Sequence, residues 1–135
     1  MDLSFYRKLP DYLSVKEIKS HFCELFNYIE LNYAASPLSI SEALKELAER
    51  QSNTFEYVED GLKQLIDNWV ICNWDIDNYK LIDNLLSLIA LLGLQKSFDK
   101  AKASLTNINL NIDLRKEIES TIKELKGTSV THFQV

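Results

Sequence analysis

Asp75-Ile76-Asp77-Asn78-Tyr79-Lys80-Leu81-Ile82-Asp83-Asn84-Leu85-Leu86-Ser87-Leu88-Ile89-Ala90-Leu91-Leu92-Gly93 decides the fold class. Tyr79, Ile82, Leu85, Leu86, Ile89 and Leu92 recur at intervals of three and four, the period of an α-helix rather than the alternation of a strand. Asp75 offers an oxygen to the orphan amides at the helix start, and Gly93 offers the left-handed residue that ends one. Apolar side chains fill more than one stripe, which places this helix at the centre of a core. The run Leu81 to Leu94 carries Asp83, Asn84 and Ser87 and falls short of the roughly 20 apolar residues a bilayer requires, so no membrane span is expected.

Working outward, Ser14-Val15-Lys16-Glu17 has the spacing of a capping box, and Ile18, Phe22, Leu25, Phe26 and Ile29 follow on one helical face up to about Asn32. Ser36-Pro37 reads as an interruption. A second box, Ser39-Ile40-Ser41-Glu42, leads into Ala43, Leu44, Leu47 and Ala48 and a helix ending near Arg50. Asn53 with Glu56 predicts a third helix through Phe55, Val58, Leu62, Leu65, Ile66 and Trp69, with Gly61 inside it. Beyond Gly93, Phe98, Ala101 and Leu105 indicate a fifth helix, and Leu114, Ile118, Ile122 and Leu125 a sixth that stops at Gly127. The expectation is a single all-α domain over residues 1–127: a compact bundle or short curved stack of antiparallel helical hairpins, about six helices in number. Residues 128–135 form a C-terminal tail.

With 135 residues, 46% of them apolar and only three Gly and two Pro, the chain has too little turn chemistry for an all-β sandwich and enough apolar surface to fold without metal or disulfide. Cys23 and Cys72 lie far apart in apolar surroundings and read as buried free thiols. Residues 1–13 carry Asp2, Arg7, Lys8 and Asp11 and so form no signal-peptide core, which points to a cytoplasmic protein.

Twenty acids against fifteen bases leave a net charge of −5, unfavourable for binding nucleic acid or anionic lipid. The excess is local. Residues 1–50 and 84–135 balance one another, whereas residues 51–83 hold Glu56, Glu59, Asp60, Asp67, Asp75, Asp77 and Asp83 against Lys63 and Lys80. Acids near helix starts complement the helix dipole without any further role. Trp74 and Tyr79, however, flank a break among Asn73, Asp75 and Asn78, where a loop can present aromatic anchors. The candidate partner-binding set is therefore Glu56, Glu59, Asp60, Trp74, Asp75, Asp77 and Tyr79, an acidic, aromatic surface suited to a basic protein.

Chemistry-bearing patterns are missing. His21 and His132 are the two histidines, and neither sits in a catalytic relay or a zinc-ligand spacing. A phosphate-binding Gly-rich loop and a calcium loop are also absent, so neither enzyme activity nor a metal or other cofactor is expected. A winged-helix regulator, with Ile40 to Glu49 as support, Phe55 to Asn68 as recognition helix and Trp69 to Leu81 as hairpin, is opposed by the acids on that recognition helix. A plain helical adaptor using Lys96, Lys100, Lys116 and Lys123 is a third reading.

The segment Asn111-Ile112-Asp113-Leu114-Arg115-Lys116-Glu117-Ile118, running on through Ile122 and Leu125 to Gly127, resembles the second helix of a HEAT-type repeat. Asn111 or Asp113 can cap it, and Arg115 can reach a neighbouring acid or carbonyl. From Glu56 to Gly127 the Asp-rich interhelical loop, the leucine-rich helix ending at Gly93 and the charged last helix resemble small helical immunity proteins of bacterial polymorphic-toxin and contact-dependent growth inhibition systems. That resemblance implies a cytoplasmic protein that binds a cognate toxin domain, often a nuclease, and blocks it.

Overall fold

The computed structural model describes residues 2–127. The tail assigned to residues 128–135, with its Val130, His132, Phe133 and Val135, lies outside the described residues. Six α-helices follow an N-terminal 3-10 segment, Leu3–Lys8: α1 (Val15–Leu31), α2 (Pro37–Ser52), α3 (Asp60–Cys72), α4 (Tyr79–Leu92), α5 (Gln95–Ser104) and α6 (Ile112–Gly127). They pack as a compact all-helical bundle, and among the described residues there is no strand.

Local signals set most of the boundaries. The Ser14 box forms as read, with Glu17 N donating to Ser14 Oγ at 3.1 Å and Ser14 N to Glu17 Oε1 at 3.3 Å. Ser36-Pro37 begins α2 instead of interrupting the chain: Ser36 Oγ accepts from Ser39 N, and Pro37 occupies the first turn, where its missing N–H costs nothing. Helix α4 is capped by Asn78, whose Oδ1 accepts from Leu81 N at 3.1 Å; Asp75 lies one turn too early and bonds the Asp77 amide instead. Gly93 closes α4 at φ 68°, the left-handed conformation that glycine adopts without strain.

The third helix departs most from expectation. It starts at Asp60, six residues later than an Asn53 cap would place it. Asn53 instead closes α2 and turns its side chain to the Asp11 carbonyl at 3.0 Å. Phe55 then adopts φ 57°, which no right-handed helix can include. Residues 53–59 are consequently a loop, and Gly61 falls in the first turn of α3.

Helix α4 is the hub, packed on α2, α5 and α6, with Leu81, Ile82, Leu85, Leu86, Leu88, Ile89 and Leu92 buried. Its one buried amide is accommodated: Asn84 Nδ2 donates to Ser41 Oγ at 3.0 Å, and Ser41 Oγ donates to the Leu38 carbonyl. Such a paired polar contact in an apolar seam fixes the register of α2 on α4, because a slip would leave both groups buried and unbonded.

Three polar side chains tie distant segments together. Arg50, 4% exposed, donates to the carbonyls of Arg7, Leu9 and Pro10 and to Glu46, pinning the chain after the 3-10 segment onto α2. Arg115 donates to the Leu105 and Asn107 carbonyls and so closes the α5–α6 turn, while Asn111 Oδ1 caps α6 at the Asp113 and Leu114 amides. Asp67 on α3 reaches the start of α5, accepting from Lys96 N, Ser97 N and Ser97 Oγ. Neither thiol is buried: Cys23 and Cys72 are both exposed and free, because each falls on the solvent side of its helix.

Candidate functional site

The candidate residues occupy opposite ends of α3. Glu56, Glu59 and Asp60 lie at its N-terminal end, and Trp74, Asp75, Asp77 and Tyr79 lie beyond its C-terminal end. The helix between them has 13 residues, Asp60 being its first, and is about 20 Å long at 1.5 Å per residue. One continuous patch is therefore not formed.

At the far end the aromatic side chains are engaged within the fold. Trp74 is half-buried against the core, and its indole Nε1–H donates to Ser104 Oγ at 2.9 Å. Tyr79 is partly exposed, and the neighbouring Glu117 carboxylate on α6, with desolvation and the charges of Asp83 and Asp113, pushes its pKa up to about 12. Asp75 and Asp77 remain exposed, joined by the bond from Asp77 N to Asp75 Oδ1.

At the Glu56 end the aromatic side chains are more exposed. Phe55 is 96% exposed and Tyr57 63% exposed on a loop that is tightly bonded internally: Gln51 Nε2 donates to the Glu56 carbonyl at 2.8 Å, Thr54 Oγ1 to the Gln51 carbonyl at 2.7 Å, and Glu56 N to Thr54 Oγ1 at 3.2 Å. The Asn53 bond to Asp11 brings alongside it the linker that carries exposed Tyr12. A bulky residue at positive φ costs on the order of 1–3 kcal/mol, and such strain persists where the surroundings enforce it, commonly at functional positions.

The electrostatics of this end are uneven. Glu59 pairs with Lys19 of α1 at 2.6 Å, and that bond raises the lysine's pKa. Glu56 and Asp60 are exposed, and among the described residues no cation stands within ion-pair distance of them. Asp67, counted in the acid excess, is removed from the surface by its bonds to α5. The carboxylates free to meet a partner here are thus Glu56 and Asp60, with Glu59 shared.

Phe55 and Tyr57 are the residues that periodicity misplaces, because Phe55 fits the helical stripe of α3. A signal was present in Ser52-Asn53-Thr54, three consecutive polar residues of turn-forming character. Elsewhere, a trough of about 760 Å³ lies between the 3-10 segment and α2, with Asp2, Glu42, Glu46 and Glu49 interleaved with Arg7, Lys45 and Lys80. Mixed signs give a charged ligand of either kind little net attraction, and no His or Cys lines the trough. Among the described residues no group of three or more His, Cys, Asp or Glu side chains is placed to hold a metal ion, and no helix is long and apolar enough to cross a membrane. The stretch Trp69 to Leu81, drawn as a hairpin in a winged-helix reading, is the end of α3, a turn and the start of α4. Compared with models of known protein families, with curated proteins and with solved structures, the chain gives no match.

Proposed function

We propose that this chain is a non-catalytic protein-binding module that docks a basic partner through the α2–α3 loop end, with Phe55 and Tyr57 as anchors and Glu56, Asp60 and Glu59 as the charges that steer it. The supporting observation is the exposed aromatic pair on a strained, internally bonded loop beside Glu56 and Asp60, which have no cation within ion-pair distance among the described residues. An exposed Phe at positive φ contributes nothing to the free fold, whereas burial in an interface recovers its apolar area. In its specific form the reading is a cytoplasmic immunity protein that neutralises a cognate toxin domain, for which a basic substrate cleft on a nuclease is the complementary surface. Asp75 and Asp77, with Trp74 and Tyr79 engaged elsewhere, take no part.

The test is the association rate with a basic protein partner captured by pull-down on the full-length chain. The double variant Glu56→Lys with Asp60→Lys should associate about tenfold more slowly at low ionic strength, a difference that fades with added salt. Asp75→Lys with Asp77→Lys should leave the rate near wild type. Equal slowing by both pairs would refute the assignment of the docking end, and slowing by neither would refute electrostatic docking.

A further inference from the structure

We propose that the cleft between the α2–α3 loop and the last turn of α4 receives a single aliphatic side chain from a basic segment of the partner. This rests on the docking surface proposed above and adds to it the chemistry of what is bound. The cleft holds about 250 Å³. That lies below the roughly 300–1,000 Å³ typical of small-molecule sites and suits one anchoring side chain. Its floor is apolar: Val58 and Leu92 are buried, and Leu91 is half-buried where α4 ends before Gly93. Phe55 and Tyr57 form its aromatic walls, and Glu56 is the charged residue among those lining it.

Two further features narrow the occupant. The loop backbone that carries both walls is held in place by the Gln51, Thr54 and Glu56 bonds, so binding need not order the loop itself. Charge selects the flanks of the bound segment. A lysine or arginine next to the inserted side chain meets Glu56, with Asp60 and Glu59 one turn further on, whereas an acidic segment meets like charge at each of these positions.

The experiment uses the full-length chain, labelled with nitrogen-15, titrated with three capped pentapeptides: Lys-Lys-Leu-Lys-Lys, Lys-Lys-Ser-Lys-Lys and Glu-Glu-Leu-Glu-Glu. The leucine peptide should shift the amides of Val58, Leu91 and Leu92 together with those of Glu56 and Asp60. The serine peptide should bind about tenfold more weakly, the difference that burying one aliphatic side chain supplies, and the acidic peptide should shift none of these amides. Leu91→Trp, which fills the cleft, should abolish the distinction between leucine and serine while cationic binding persists. Equal binding of the two lysine peptides to wild type, with shifts confined to Glu56, Glu59 and Asp60, overturns the cleft assignment and leaves the docking end standing. If no lysine peptide shifts the amides of those three residues, the docking surface itself falls.

Discussion

Replacing Asp67 with alanine removes the cap of a helix to which Asp67 does not belong. Helix α5 begins after Leu94, whose side chain makes no cap bond, so its first amides depend on a carboxylate from α3. Lys96 N reaches it at 3.1 Å, Ser97 N at 2.8 Å, and Ser97 Oγ donates a further bond. Ser97 is fully buried, so its amide loses a partner that water cannot replace, at a cost of about 1–3 kcal/mol. The partly accessible Lys96 amide and the lost charge–dipole attraction add about 1 kcal/mol. Asp67→Ala should therefore destabilise the chain by about 3 kcal/mol, and Asp67→Asn, which keeps one acceptor, by about half of that. Urea titration followed by tryptophan fluorescence and far-ultraviolet circular dichroism measures both, with an unchanged m-value marking an intact denatured state. In a double-mutant cycle with Ser97→Ala, a coupling of about 1 kcal/mol or more is expected. A loss below about 0.5 kcal/mol for Asp67→Ala would mean that solvent satisfies the start of α5 and that the remote cap contributes nothing.

Two further outcomes follow from the polar ties. Arg50→Met strands the carbonyls of Arg7, Leu9 and Pro10 and should cost about 3 kcal/mol, with the linker at residues 9–14 becoming sensitive to proteolysis before the rest of the chain; uniform protection there would refute the clamp. Glu117 has a pKa raised above its ordinary 4.5 by burial and by a hydrogen bond with Asp83, against the opposing pull of the Tyr79 hydroxyl. Folding thus favours its protonated form, so this contribution to stability is present in acid and is lost as pH rises through the raised value. Glu117→Gln should flatten that dependence and raise stability at pH 7 by at most about 1 kcal/mol, since solvent screens a part-buried site; chemical denaturation at pH 4, 5.5 and 7 checks the trend.

Helix content was legible wherever one segment carried its own complete signal. The Ser14 box, the Gly93 terminus and the stripes of α4 and α6 needed no information from elsewhere in the chain. Apart from Asp75, which bonds the Asp77 amide in its own turn and leaves the α4 cap to Asn78, errors arose where a side chain answered to a distant partner. Asn53 has the composition of a helix cap, yet the Asp11 carbonyl takes its amide, and α3 starts six residues late. The 3-10 segment carries no periodic stripe, and it is held by Arg50 and by Tyr6, whose hydroxyl donates to Glu24 at 2.9 Å. Contacts of this range, spanning eighteen to forty-three residues, have no local spacing that could reveal them.

The same distinction governs the candidate site, where charge counting grouped residues that the fold separates to the two ends of α3. Seven acids in residues 51–83 were treated as one population. Tertiary structure sorts them by what each meets: Asp67 the amides of α5, Glu59 a lysine of α1, Asp83 a second carboxyl on α6, and Asp75 and Asp77 a turn of their own. Glu56 and Asp60 at one end of α3, and Asp75 and Asp77 beyond the other, are what that sorting leaves exposed without a cation among the described residues. Aromatic residues divide by the same logic. Trp74 finds a hydrogen-bond partner within the bundle and Tyr79 lies beside the Glu117 carboxylate, whereas the Phe55 side chain has no polar atom for the fold to satisfy and is held outward by its backbone. Exposure alone does not single out Phe55, since Tyr33 and Ile108 are as open to solvent; what sets it apart is a positive φ on a loop that is hydrogen-bonded internally, the combination on which the proposed docking end rests.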